Sequence, residues 1–285
     1  MAVPPEAKFA ICTFVLYIIL VLYIFFDQQF PVLQWIISIK SLLGFILTLL
    51  LFRLPYSQVT RRSALLGCVF ATGILFNIDQ HYFNLRYFGW YLCTLSFFHF
   101  SEYIMTALYN ADKLSVDSFL LNHSLEYKIA AVASWFEFVI EFYLFPGVKG
   151  QFILSFVGLC LVIFGEVMRK FAMVTAKSNF THMVQFTKHE QHILVTWGIY
   201  SWCRHPGYVG WFYWSIGTQI ILCNPVCFVA YVLASWQFFK DRIWDEELSL
   251  VEFFGQDYIN YQNKVGTGLP FIDGFKFDIA SKKFN

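Results

Sequence analysis

The sequence predicts an all-α integral membrane protein of about eight transmembrane helices, the last two forming a C-terminal hairpin. Three observations carry this. Of 285 residues, 58% are hydrophobic and only 14% charged, proportions that suit a chain solvated largely by lipid. Several stretches with little or no charge approach the roughly 20 residues that cross a hydrocarbon core of about 30 Å. The basic residues between them fall on alternating loops. The net charge of +1 gives no electrostatic support for nucleic-acid binding.

Residues 9–26 carry no charge. The run is long, and Phe25-Phe26-Asp27-Gln28-Gln29 follows where small residues would mark cleavage, so a retained first helix is expected. Residues 34–52 carry only Lys40, and 64–78 are uncharged but short. Residues 87–109 hold His99 and Glu102, and 129–146 hold Glu137 and Glu141. Such intramembrane carboxylates are either functional or hydrogen-bonded structural groups. Residues 152–165 are uncharged and run on into Glu166. The hairpin, 207–239, is two uncharged arms, 207–223 and 225–239, separated only by Asn224.

With the N-terminus in the cytosol, 17 of the 20 Lys and Arg residues lie on the cytosolic side. Lys40 lies within a span, and only Arg86 and Lys149 lie on the other side. Cytosolic loops are enriched in these cations, so the asymmetry fits the orientation with both termini cytosolic. The chain then divides into a membrane scaffold, 1–165, with about six helices, and a second region, 166–285. In the second region a long cytosolic segment runs from Glu166 to Arg204. After the hairpin, Lys240 to Lys264 mixes charges with Phe253, Phe254, Tyr258 and Tyr261, which suits an amphipathic helix docked on the membrane domain. The seven cysteines show no zinc spacing. A Cys223–Cys227 bridge is geometrically conceivable, but small buried apolar residues are the better reading.

Two polar clusters flank the hairpin. In Arg204-His205-Pro206-Gly207-Tyr208-Val209-Gly210, Pro206 suits the first turn of a helix. Free N–H groups there can receive the carboxylate of a small polar ligand, with Tyr208 and Tyr200 as walls. A plain helix start in an interfacial aromatic belt reads equally well. In the second cluster, Arg242 and Glu246 share a helical face. On a soluble helix they would be a weak surface pair, but beside the bilayer a site is favoured. His189 and His192, at i and i+3 on one helical face, are not the H-E-x-x-H pattern, and no metal is expected.

The run His192-Ile193-Leu194-Val195, Tyr200, Arg204-His205-Pro206-x-Tyr208-x-Gly210, followed by Asp245-Glu246-Glu247, Val251, Phe254, Gly255, Tyr258 and Tyr261, resembles the isoprenylcysteine carboxyl methyltransferase family. The motifs cover about 75 residues of the C-terminal half. Length and span count extend the match to the whole chain. The resemblance implies an endoplasmic-reticulum enzyme whose cytosolic C-terminal region binds S-adenosylmethionine as methyl donor, without a metal. Its substrate would be the C-terminal carboxylate of farnesylated or geranylgeranylated cysteine on CaaX-processed proteins such as small GTPases. Gln185, His192, Ile193, Leu194, Val195, Tyr200, His205, Pro206, Gly207 and Tyr208 would line the S-adenosylmethionine site, and Glu246 would complete it. Arg242 would hold the substrate carboxylate.

The prenyl chain, held among membrane lipids, would enter by a lateral opening near Trp211, Phe212, Tyr213, Trp214 and Trp236. Lys282-Lys283-Phe284-Asn285 resembles a dilysine retrieval signal. Phospholipid N-methyltransferases and sterol reductases share part of the Arg-His-Pro pattern. An amine acceptor would need a proton acceptor rather than an arginine clamp, and a sterol reductase usually has a longer chain. A non-catalytic transporter would place charges deep in its spans, whereas here they gather at one face.

Overall fold

The computed structural model describes residues 3–28, 56–121, 125–190 and 192–276. The expected span at 34–52 and the terminal lysines lie outside them. The regular elements among the described residues are all helices, with no strand. The long helices are α1 (Pro5–Gln28), α2 (Ser57–Ile78), α3 (Arg86–Tyr109), α4 (Leu125–Leu144), α5 (Phe152–Ala176), α6 (Pro206–Ile221) and α7 (Pro225–Phe254), followed by the short α8 (Gln256–Gln262). Among the described residues, three segments, Pro5–Phe26, Ser57–Ile78 and Phe152–Asn179, are long and apolar enough to cross a membrane by themselves. The other expected spans that fall among the described residues are helical but shorter or more polar; α6 has 16 residues.

The segment after Glu166 begins as helix, since α5 continues to Ala176. The amphipathic stretch from Lys240 is helical as well. It continues α7, whose 30 residues extend about 45 Å and so outrun a hydrocarbon core of about 30 Å. The break comes at Gly255, where φ is 55°, and α8 follows. Pro206 and Pro225 each open a hairpin helix, where the absent N–H costs no intrahelical bond.

The chain forms two compact units, residues 1–159 with 220–224, and residues 160–219 with 225–285. In the first, Gly73 of α2 and Gly89 of α3 face each other. A Cβ on either would lie 2.6 Å from the other's carbonyl oxygen, so the missing side chains let the backbones touch. Phe14 of α1 stacks on Phe100 of α3 with centroids 3.9 Å apart. Tyr103 stacks on Phe119 at 4.1 Å. At one end of this unit, Arg62 donates to the Val116 carbonyl at 2.6 Å. At the other, the turns after α4 and α6 meet at Lys149.

Lys149 is closely held. Its side chain is 1% exposed, and its Nζ lies 2.5 Å from Glu141. It also donates to the carbonyls of Leu222 and Cys223, at 3.1 and 3.0 Å, and to Asn224 Oδ1 at 2.8 Å. Asn224 in turn donates to the Ser134 carbonyl at 2.9 Å. Glu141 is thereby a structural counter-ion. Cys223 and Cys227 are both buried and unbridged.

Replacing Lys149 with Met strands Glu141 and should cost about 3–5 kcal/mol, visible as a lower Tm in detergent. Adding Glu141→Gln should recover part of that loss.

Candidate active site

In the second unit, α5 and α6 approach through Gly165 and Gly210. A Cβ on Gly210 would sit 2.5 Å from the Gly165 carbonyl and 2.7 Å from the Arg169 backbone nitrogen. This contact sets Arg169, only 2% exposed, beside the start of α6. Arg169 donates to the Gly207 carbonyl at 3.1 Å, and its guanidinium lies over Trp211 at 4.9 Å.

Across from it stands α7. Arg242 Nε donates to the Tyr208 hydroxyl at 2.9 Å, and that hydroxyl donates to Glu246. Arg242 also donates to the His182 carbonyl. Arg242 and Glu246 are thus joined through Tyr208.

His205 stacks on Tyr208, with centroids 5.5 Å apart and planes 9° apart. Its Nε2 lies 2.9 Å from Glu247 Oε1. An ionised carboxylate only accepts, so the hydrogen bond assigns the proton to Nε2. Arg204 Nε donates to the same Glu247 oxygen at 2.7 Å. The rest of that guanidinium reaches the carbonyls of Gln262, Val265 and Asp273. Gln262 donates to Glu247 Oε2 at 3.0 Å.

Burial alone would raise the Glu247 carboxyl pKa. Its contacts with His205 and Arg204 outweigh that and hold it below the ordinary value. Burial, aided by the Glu246 charge, pushes the Tyr200 phenol up, so it stays protonated.

The resulting cleft encloses about 520 Å³, open mouth included. It brings together the expected Tyr200, His205, Pro206, Gly207, Tyr208, Arg242 and Glu246, and adds Arg169, Asn179 and His182. A neighbouring cleft of about 460 Å³ shares Asn179, Thr181 and Glu246, and is lined by Gln185, His192, Ile193 and Phe253. Leu194 and Val195 line neither cleft.

His189 and His192 do not lie on a helix. A turn brings their rings to 5.1 Å. Among the described residues no group of three or more His, Cys, Asp or Glu could hold a metal. Of the aromatics expected at a lateral opening, Trp211 lines the cleft. Phe212 and Trp214 are buried, and Trp236 donates to the Pro270 carbonyl at 2.8 Å.

Residues 157–252 match the family model described as isoprenylcysteine carboxyl methyltransferase. The chain is 57% identical over 232 residues to the Xenopus laevis protein-S-isoprenylcysteine O-methyltransferase, covering 81% of this chain and 80% of that one. It is 54% identical to the Homo sapiens protein of the same name, over 82% of this chain and 81% of that one. The chain belongs to the isoprenylcysteine carboxyl methyltransferase family. A solved structure of the eukaryotic intramembrane Ras methyltransferase ICMT superposes with a TM-score of 0.86 at 44% identity, covering 95% of this chain and 99% of that one. The chain is accordingly a multi-pass membrane methyltransferase.

Sequence reasoning missed Arg169, Asn179 and the separate part played by Glu247. Arg169 entered the sequence reading only as one of the cytosolic-side cations. Its one local sign is a guanidinium one helical turn after Gly165 and Glu166. Asn179 accepts from the Ile193 N–H at 2.9 Å, a link between loop positions that spacing does not reveal.

The depressed Glu247 pKa has a defined sign. Its contribution to stability is fully present above the unfolded value, near 4.3, and is lost as pH falls through the lower folded value. The wild-type Tm should therefore drop on acidification below about pH 4.5. Glu247→Gln should start from a lower Tm and show a shallower acid limb.

Proposed function

We propose that this methyltransferase esterifies the C-terminal α-carboxylate of prenylated cysteine on CaaX-processed proteins such as small GTPases, with S-adenosylmethionine as donor. The observation that carries this is the Arg242–Tyr208–Glu246 bridge. One cleft presents a guanidinium and a carboxylate on either side of a single hydroxyl, where an apolar hairpin emerges from its span.

The donor set fits S-adenosylmethionine. Its cationic groups suit Glu246, and its flat base suits the adjoining cleft of His192, Ile193 and Phe253. Tyr200, His205, Pro206, Gly207 and Tyr208 would wall the site, and Gln185 would close its outer side. Leu194 and Val195 would act by packing the segment that carries His192 and Ile193. Bound there, the donor supplies an electrophilic methyl on a sulfonium.

The acceptor, an α-carboxylate of pKa roughly 3.3–3.7, is ionised at neutral pH. No general base is required of the chain. Its task is positioning. Arg242 can grip a carboxylate bidentately, and its bonds to Tyr208 and to the His182 carbonyl fix the guanidinium before substrate arrives. Arg169 adds a second buried cation on the opposite wall. An amine acceptor would gain nothing from two guanidinium groups.

The enzyme resides in this reading in the endoplasmic-reticulum membrane with both termini cytosolic, about eight spans, and a cytosolic donor-binding region. The one-sided distribution of Lys and Arg supports that orientation. The gathering of the turns after α4 and α6 at Lys149, while Arg62 meets 116–117 at the other end, fits alternating spans.

Purified protein given labelled S-adenosylmethionine and a farnesylcysteine analogue should form a base-labile methyl ester. Arg242→Ala should lower turnover roughly a hundredfold or more while calorimetry still detects donor binding. Retained turnover would refute the assigned role. Glu246→Gln should instead weaken donor binding in the same titration.

A further inference from the structure

The end of the first unit that holds Lys149 contains a second cation in a different state. Arg86 opens α3 and lines a cavity of about 600 Å³, open mouth included, with Phe83, Asn84, Tyr87, Phe142 and Pro146. Its guanidinium lies 4.3 Å over the Phe83 ring and 4.7 Å over the Tyr87 ring. Its Nη2 donates to the Tyr87 hydroxyl at 2.7 Å.

Lys149, by contrast, has a carboxylate and three further oxygens around it. Among the described residues, no carboxylate comes within ion-pair distance of Arg86, and no protein acceptor meets its other N–H groups. A guanidinium has five donors in a planar fork suited to phosphate. Here the residue that carries it lines the cavity.

The surroundings say where an anion would approach from. Tyr82, Phe83, Tyr143 and Phe145 near this cavity are 39%, 58%, 77% and 59% exposed. Exposed aromatics at the ends of apolar helices mark the headgroup level of a bilayer. An anion reaching Arg86 there arrives with acyl chains beside these rings.

We propose that the Arg86 cavity is a binding site for the phosphodiester headgroup of an anionic phospholipid, with its acyl chains lying along the exposed aromatics. The site is separate from the methyl-transfer cleft, and its test reads lipid binding rather than methylation.

The full chain in detergent is titrated, by native mass spectrometry, with phosphatidylinositol, phosphatidylcholine and sodium phosphate in parallel. One phosphatidylinositol should bind tightly. Arg86→Ala should weaken it about tenfold, the loss of a charge-assisted phosphate contact, and Arg86→Lys should restore part of the affinity. Lys128→Ala, which removes an exposed cation elsewhere, should leave it unchanged. An unaltered Tm for the Arg86 variants shows that they fold, and Arg86→Gln substitutes if Arg86→Ala does not.

Equal retention by wild type and the Arg86 variants would overturn the proposal. So would an equal loss in Lys128→Ala, which would mark nonspecific charge. Displacement of the lipid by sodium phosphate at matched concentration would also overturn it, because the ligand would then be free phosphate. Equal affinity for phosphatidylcholine would remove the claim that net negative charge is read.

Discussion

The ion pair between Arg204 and Glu247 is the interaction on which the reactive end depends. Both side chains are almost fully buried, at 4% and 0% exposure. A charge so placed is tolerable only when its remaining donors and acceptors are met. Here they are met by the chain that must be organised. Arg204 draws in three carbonyls between 262 and 273, and Glu247 takes His205 and Gln262. The segment beyond α8 is thereby fastened to the start of the hairpin. The backbone repeats the link, since Arg204 N–H donates to the Gly266 carbonyl and His205 N–H to that of Thr267.

The same rule governs the other buried cations. Lys149 sits where carbonyls of the hairpin turn lack intrahelical partners, and it supplies them. Arg169 sits where Gly165 and Gly210 bring α5 against α6, and it meets the Gly207 carbonyl and two aromatic faces. In each case a polar side chain replaces water that the bilayer cannot provide. These residues hold the hairpin at its turn, at its glycine contact and at its charged end.

Much of this was legible in the sequence because its signals are local. Runs of uncharged residues gave the helices, Pro206 and Pro225 their starts, and the i, i+4 spacing of Arg242 and Glu246 their shared face. Helix ends were less legible. Neither Glu166 nor Lys240 stops its helix, because a charged residue past the bilayer is compatible with helical backbone and only a feature such as Gly255 ends it. The long-range pairings were not legible at all. Glu141 looked like an unassigned intramembrane acid, since its partner's other ligands come from 222–224, more than 70 positions away in the chain. The bridging part of Tyr208 was hidden for the same reason: spacing puts Arg242 beside Glu246 but cannot show a hydroxyl from α6 inserted between them.

That insertion explains why two adjacent carboxylates, Glu246 and Glu247, carry different duties. Along α7, Phe239, Ile243 and Glu247 form one i, i+4 stripe, and all three are buried. Phe238, Arg242 and Glu246 form the next, about 100° around the helix, and Arg242 lies over the Phe238 ring at 5.8 Å. The first stripe is closed: Glu247 has its acceptor capacity filled by Arg204, His205 and Gln262, so it has little left for a ligand. The second is open: the Arg242 and Glu246 side chains line the cleft, Arg242 held by Tyr208 and the His182 carbonyl and Glu246 by Tyr208. A substrate anion can therefore approach Arg242 without breaking the Arg204–Glu247 pair. The His205–Tyr208 stack couples the two stripes, so Glu247, through His205, sets the ring whose hydroxyl bonds Glu246.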